Sequence, residues 1–169
     1  MKEIIVAGFA ALKGTYERSR RDREEIGRLY PISLLKRADS CVDLIEEQDG
    51  KINDFLKEYA KEIEIYHIDG SMHEILWNFS KEKKCGFDID LRSIPMLQET
   101  VEIAEYFEED PFEWKCGGCA LMVSDEVRTD HILEELNSHD IYAEVIGNVT
   151  EGKEKKLMIK DDVRFLNRV

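Results

Sequence analysis

The residue types most able to do chemistry in this chain are the cysteines of Lys115-Cys116-Gly117-Gly118-Cys119. A C-x-x-C pair supplies half of a zinc site or a redox dithiol. A structural zinc needs four ligands, and no second C-x-x-C or paired histidine stands at a usual distance. Cys85 with one of His67, His73, His131 or His139 completes the set only if folding brings them together. A thioredoxin-like pair lies where a strand leads into a helix, whereas Cys119 enters a strand. The expectation is a glycine turn between small buried residues, with Cys116 and Cys119 as weak metal candidates and no metal required.

The histidines are scattered. His67 and His73 flank Asp69-Gly70 at a spacing of six, which fits no single helix face. His67 and Asp69 together are able to share a proton or meet a metal-bound phosphate. The plainer reading is a strand-to-helix turn in which Asp69 or Ser71 caps the following helix. There is no G-x-x-x-x-G-K-[ST], G-x-G-x-x-G, G-x-S-x-G or H-E-x-x-H sequence, so the residues alone specify no reaction.

The elements that position these groups follow from periodicity. Ile4 to Phe9 reads as a buried strand. Thr15 to Tyr30 reads as a solvated helix whose arginines (Arg18, Arg20, Arg21, Arg23, Arg28) sit among acids. After Pro31, residues Leu34, Leu35, Ala38, Cys41, Val42 and Ile45 form one helical stripe. A second amphipathic piece carries Ile52, Phe55, Leu56 and Tyr59. Ile63, Ile65 and His67 alternate as a strand. Met72, Ile75, Leu76 and Phe79 return to helical spacing and stop near Cys85-Gly86. Phe87 to Leu91 is a strand; Leu97, Val101, Ala104 and Phe107 mark a helix. Ala120 to Val123 is a strand, and Thr129, Ile132, Leu133 and Leu136 line a helix. Tyr142 to Val149 and Lys156 to Ile159 are strands able to pair through the Glu151-Gly152 turn. The sum is an α+β domain: a mixed sheet with helices packed on one face.

Composition excludes more than it selects. The 169 residues carry 24 basic and 37 acidic side chains, a net charge of −13, and 43% are hydrophobic. That apolar share supports one domain spanning 1–169. The acidic balance argues against a nucleic-acid partner, and no apolar run is long enough to span a membrane. Four cysteines without an export signal read as reduced thiols in a cytoplasmic protein.

Three stretches carry a resemblance: Ile5-Val6-Ala7-Gly8-Phe9 with Gly14-Thr15; Gly86 through Glu102 (GFDIDLRSIPMLQETVE); and Cys119 through Gly147. In these the chain resembles the C-terminal domain of the aminoimidazole ribonucleotide (AIR) synthetase superfamily. That superfamily also holds hydrogenase maturation carbamoyl dehydratase, thiamine monophosphate kinase and selenophosphate synthetase. The resemblance implies an AIR synthase C-terminal-domain-like fold and the absence from this chain of the family's N-terminal ATP-binding domain. It implies no cofactor for the domain alone, with ATP and magnesium only when it is paired with a separate N-terminal domain.

Family C-terminal domains carry a phrase close to H-D-x-T-x-G-G near the substrate and nucleotide phosphates. Here Tyr66 falls on the aspartate, Ile68 on the threonine and Ser71 on the second glycine, while Gly70 is kept. The resemblance thus offers His67, Asp69 and Gly70 as a degenerate ligand-binding set and no catalytic residue. The end, Asn167-Arg168-Val169, lacks the cysteine that hydrogenase maturation proteins modify. The expected function is a partner- or ligand-binding domain, not active alone, that forms a homodimer or joins a separately encoded ATP-binding domain. The alternatives are half of a split ATP-dependent enzyme, or a C-x-x-C zinc or thiol protein.

Overall fold

The computed structural model describes residues 1–67 and 69–167, with His67 described by its backbone alone. Its centre is β1 (Lys2–Ala7), whose Ile4, Ile5, Val6 and Ala7 are wholly buried. A strand buried on both faces reads as a continuous apolar run, which is why Ile-Ile-Val-Ala lacks alternation. β1 pairs antiparallel with β4 (Ala120–Asp125) on one side and β5 (Ala143–Thr150) on the other. A β-bulge opposite Ile4 and Ile5 shifts the β5 register.

The remaining strands are β2 (Glu64–His67), β3 (Gly86–Asp90), β6 (Lys155–Ile159) and β7 (Asp162–Phe165). The sheet order is β2-β4-β1-β5-β3-β6-β7. β3 therefore stands between β5 and β6, antiparallel to the first and parallel to the second. The β5–β6 pairing that the Glu151-Gly152 turn would allow does not form. Asp88 and Ile89 of β3 lie directly against Gly147, a fit that a side chain there would prevent: its Cβ would come 1.9 Å from the Asp88 carbonyl oxygen. β6 turns back into β7, a strand the sequence reading did not anticipate.

The mixed sheet is as expected, but its helices cover both faces where one was expected. The odd–even alternation of β1 divides the core. Ile4 and Val6 pack with Leu121, Val123, Phe87 and Ile89 under α5 (Met72–Lys83), which contributes Met72, Leu76 and Phe79. Ile5 and Ala7 pack with Ala120 and Met122 on the other face. Ile52 and Phe55 of α4 (Cys41–Tyr59) and Ile132 and Leu136 of α7 (Glu126–Ser138) close that side. Each buried Val, Leu, Ile, Phe or Met among them contributes about 1.5–3 kcal/mol.

Before α4 the chain forms α1 (Leu12–Arg21), α2 (Arg23–Leu29) and α3 (Ile32–Asp39). Ile26, Leu34, Leu35 and Ala38 join Ile103 of α6 (Gln98–Tyr106) in a third core. The polar stretch 15–30 is thus two helices, and it is not solvated all round. Thr15 and Ser19 are buried, and Thr15 Oγ1 shares a 2.6 Å hydrogen bond with Thr100 Oγ1. Four of the five arginines there are salt-paired: Arg18 with Asp22 and Glu109, Arg21 with Asp22, Arg23 with Asp39, and Arg28 with Glu24.

The stripe from Leu34 to Ile45 breaks at Ser40, whose Oγ donates to the Lys36 carbonyl at 2.9 Å, and Val42 is exposed. Beyond that break α4 runs unbroken to Tyr59, joining what periodicity divides into two pieces. α5 stops on Lys84, which takes the left-handed conformation at φ 54°. Gly86 has a different task, since a Cβ there would meet the Glu154 carbonyl oxygen at 2.4 Å. Among the described residues no helix is long and apolar enough to cross a membrane.

Candidate functional site

Two features near the ends of the central strands have the makings of a site. The larger is an open cleft of about 710 Å³ lined by Phe9, Leu91, Arg92, Ile94, Met96, Phe112, Tyr142 and Glu144, among others. It forms where β1 leaves the sheet through Gly8-Phe9, where β3 ends, and where β5 begins. Gly8, at φ 85°, donates its N–H to the Tyr142 carbonyl at 2.7 Å, and Ala10 donates to Pro95 at 2.8 Å. Those bonds tie three loops into one wall. Phe9 and Tyr142 stack at 5.4 Å with rings 2° from parallel. Polar groups are few: Asp90 holds Arg92 at 3.4 Å, and the Tyr142 hydroxyl donates to Glu144 at 2.7 Å. A cleft of this size with aromatic walls and few polar groups suits a small ligand.

The second feature is the start of α5. Ser71 is its N-cap: Ser71 Oγ accepts the Glu74 N–H at 3.2 Å, and Glu74 Oε2 accepts the Ser71 N–H at 2.7 Å. The strand-to-helix turn is therefore present, and Ser71 caps it while Asp69 is exposed. Gly70 adopts φ 138°, and a Cβ on it would strike Glu74 Oε2 at 2.3 Å. The positive end of a helix dipole is a ready anion seat. Here the chain's own Glu74 carboxylate occupies it, with Asp69 lining the same small hollow. Neither Asp69 nor Gly70 lines the large cleft. His67's side chain, Ile68 and the terminal Arg168-Val169 lie outside the described residues.

The C-x-x-C loop packs against this helix start. The Cys116 N–H donates to the Gly70 carbonyl at 2.7 Å, and Ser71 bridges to Lys115. Both thiols are free and buried. Gly118, at φ 68°, makes the turn between them and sits against the Ile45 backbone, so the glycine-turn reading matches the geometry. Cys116 Sγ also accepts the Ala11 N–H at 3.3 Å at the start of α1. The hydrogen bond from Cys119 holds the Cys116 thiol below the ordinary thiol range, helped by N–H groups of Ala11 and Met72 against the effect of burial. Cys119 is pushed well above that range, by the same bond and by burial. Among the described residues, no third histidine, cysteine or carboxylate groups with the two sulfurs into a metal-sized cluster.

Sequence reasoning missed the cleft. Its residues come from six separate segments; Phe9, Leu91 to Val101, and Tyr142 with Glu144 fall within the three stretches that carry the resemblance, but nothing local in the sequence shows that they converge. The sequence suggests His73 as a ligand only as a companion of the cysteines, whereas α5 brings it beside Asp110 and Glu113.

Residues 78–160 match the sequence profile of the AIR synthase related protein, C-terminal domain. No curated protein matches the chain in sequence. Among solved structures, hydrogenase maturation protein HypE from E. coli superposes with a TM-score of 0.74 at 15% identity, covering 98% of this chain and 49% of that one. The HypE–HypF complex contains a chain matching at TM-score 0.74 and 19% identity, with 99% and 53% covered. Thiamine-monophosphate kinase from Stenotrophomonas maltophilia K279a matches at 0.69 and 10% identity, with 95% and 50% covered. At such identities the likeness is one of fold, and the chain spans about half the length of the structures it matches. Over residues 78–160 the chain is thus similar in sequence to the AIR synthase related protein, C-terminal domain, and over nearly its whole length it shares the fold of these solved structures.

Proposed function

We propose that this domain is the ligand-holding half of an AIR synthase-type assembly and does not bind nucleotide by itself. In this reading the 710 Å³ cleft takes a small ligand with a flat or apolar part against Phe9 and Tyr142 and a polar part toward Arg92. ATP and magnesium belong to a separate ATP-binding domain, on this polypeptide or another. The observation that carries the reading is the filled start of α5. Glu74 already accepts the Ser71 N–H there, and Asp69 adds a second carboxylate, so a phosphate would meet negative charge where it needs donors. The half-length match to HypE and thiamine-monophosphate kinase chains supports an arrangement in which a further domain completes the site.

Calorimetric titration of the purified chain with magnesium ATP tests it, followed by a thermal-shift screen of aminoimidazole-type ribonucleotides. The expected result is no saturable ATP binding, together with at least one ligand whose thermal shift disappears in Arg92→Ala. Stoichiometric binding of ATP by the chain alone overturns the proposal.

A further inference from the structure

A different group of side chains lies behind the cleft wall. The segment Asp110-Pro111-Phe112-Glu113 forms a single 3-10 turn over Pro111–Glu113. Side chains three apart in such a turn eclipse, so Asp110 and Glu113 stand on one side. Asp110 is fixed there: its Oδ1 accepts the Phe112 N–H at 2.9 Å. Its other oxygen faces His73, the second residue of α5, and lies 3.9 Å from Nε2. That separation is too long for a hydrogen bond, and Nε2 is buried with no partner. Phe112 stacks over the imidazole at 6.0 Å and 28°. A buried ring nitrogen left unpaired calls for an explanation, and an ion is one.

The three donor atoms of His73, Asp110 and Glu113 all lie within 4.8 Å of one another. One imidazole and two carboxylates make a nitrogen–oxygen donor set suited to zinc and neighbouring first-row divalent cations. Their two negative charges outweigh the unfavourable dipole at the start of α5. We propose that His73, Asp110 and Glu113 form a binding site for one zinc-class divalent cation, with at least one coordination position left open. Phe112, which stacks on His73, also lines the cleft, so the cation would stand near it. The site is independent of the proposed function, and it does not involve Cys116 or Cys119.

The test uses the full chain, without a histidine tag and stripped by a chelator, titrated with Zn²⁺ and with Co²⁺. The expected result is one equivalent bound, with visible ligand-field bands for cobalt. Affinity should fall at least tenfold in both His73→Ala and Glu113→Gln and stay unchanged in Cys116→Ser. Glu113 is exposed, so its variant keeps the fold even if the His73 variant does not. Absence of saturable binding overturns the site, as does full affinity in Glu113→Gln. Loss of binding in Cys116→Ser assigns the metal to the thiols and overturns it as well.

Discussion

Glu74 Oε2 and the Ser71 N–H, 2.7 Å apart, close the start of α5 from both sides, because Ser71 Oγ in turn accepts the Glu74 N–H. Such reciprocal capping satisfies two helix-terminal donors that would otherwise be orphaned. Ser71→Ala should therefore destabilise the protein by about 1 kcal/mol. Chemical denaturation will show this as a lower midpoint with an unchanged slope.

Gly147 and Gly50 should respond oppositely to alanine. A Cβ on Gly147 would overlap the Asp88 carbonyl oxygen of the neighbouring strand, so Gly147→Ala should cost about 3 kcal/mol or more and loosen the β3–β5 pairing. Gly50 lies in α4 with nothing within 4 Å of its Cβ, and Gly50→Ala should stabilise by about 0.5–1 kcal/mol. Hydrogen exchange of β3 and β5 amides, alongside denaturation, distinguishes strand separation from a general loss.

Phe79 is 2% exposed and supports the α5 face of the sheet, where Tyr66 meets it edge-on at 5.1 Å. Removing the ring leaves a cavity next to Leu76 and Phe87. Phe79→Ala should cost about 3–5 kcal/mol, and Phe79→Leu much less. Equal losses in the two variants would mean that this core collapses around the change.

Glu64 carries an acid-sensitive contribution to stability. Hydrogen bonds from Lys2 at 2.8 Å and Lys83 at 2.9 Å hold its carboxyl down at about 2, against an ordinary value of 4.5. A carboxylate depressed in the folded state stabilises the fold above its unfolded pKa, and this contribution is lost as pH falls from about 4.5 to about 2. Glu64 is partly solvent-screened, so the effect should be modest and should shrink at high salt. Glu64→Gln should flatten stability against pH in that window and leave the slope above it unchanged.

Cys41 should be unreactive toward an alkylating agent in the folded protein. Burial, with Glu99 and Asp39 nearby, pushes its pKa up to about 12. Native alkylation at mildly alkaline pH, read by peptide mass spectrometry, should leave Cys41 unmodified until the chain unfolds. Rapid modification in the native state would show that α3 and α4 separate readily.

The amino-acid sequence by itself determined most of the elements and their buried faces. The run Ile4 to Ala7, the alternation Phe87-Asp88-Ile89-Asp90 and the spacing Met72-Leu76-Phe79 each encode local geometry, because periods of two and 3.6 follow from backbone dimensions. The turn before α5 was legible, with Asp69 or Ser71 as its cap, and the structure assigns the cap to Ser71, completed by Glu74. The family resemblance was legible too, carried by contiguous phrases. Only the tertiary structure decided that β3 enters between β5 and β6, and that α4 and α7 cover the face opposite α5. The cleft and the His73–Asp110–Glu113 cluster belong to the same class. Strand order and side-chain convergence depend on contacts between residues far apart along the chain, such as Gly147 against Asp88, and no local periodicity records which distant partner a strand or side chain will meet.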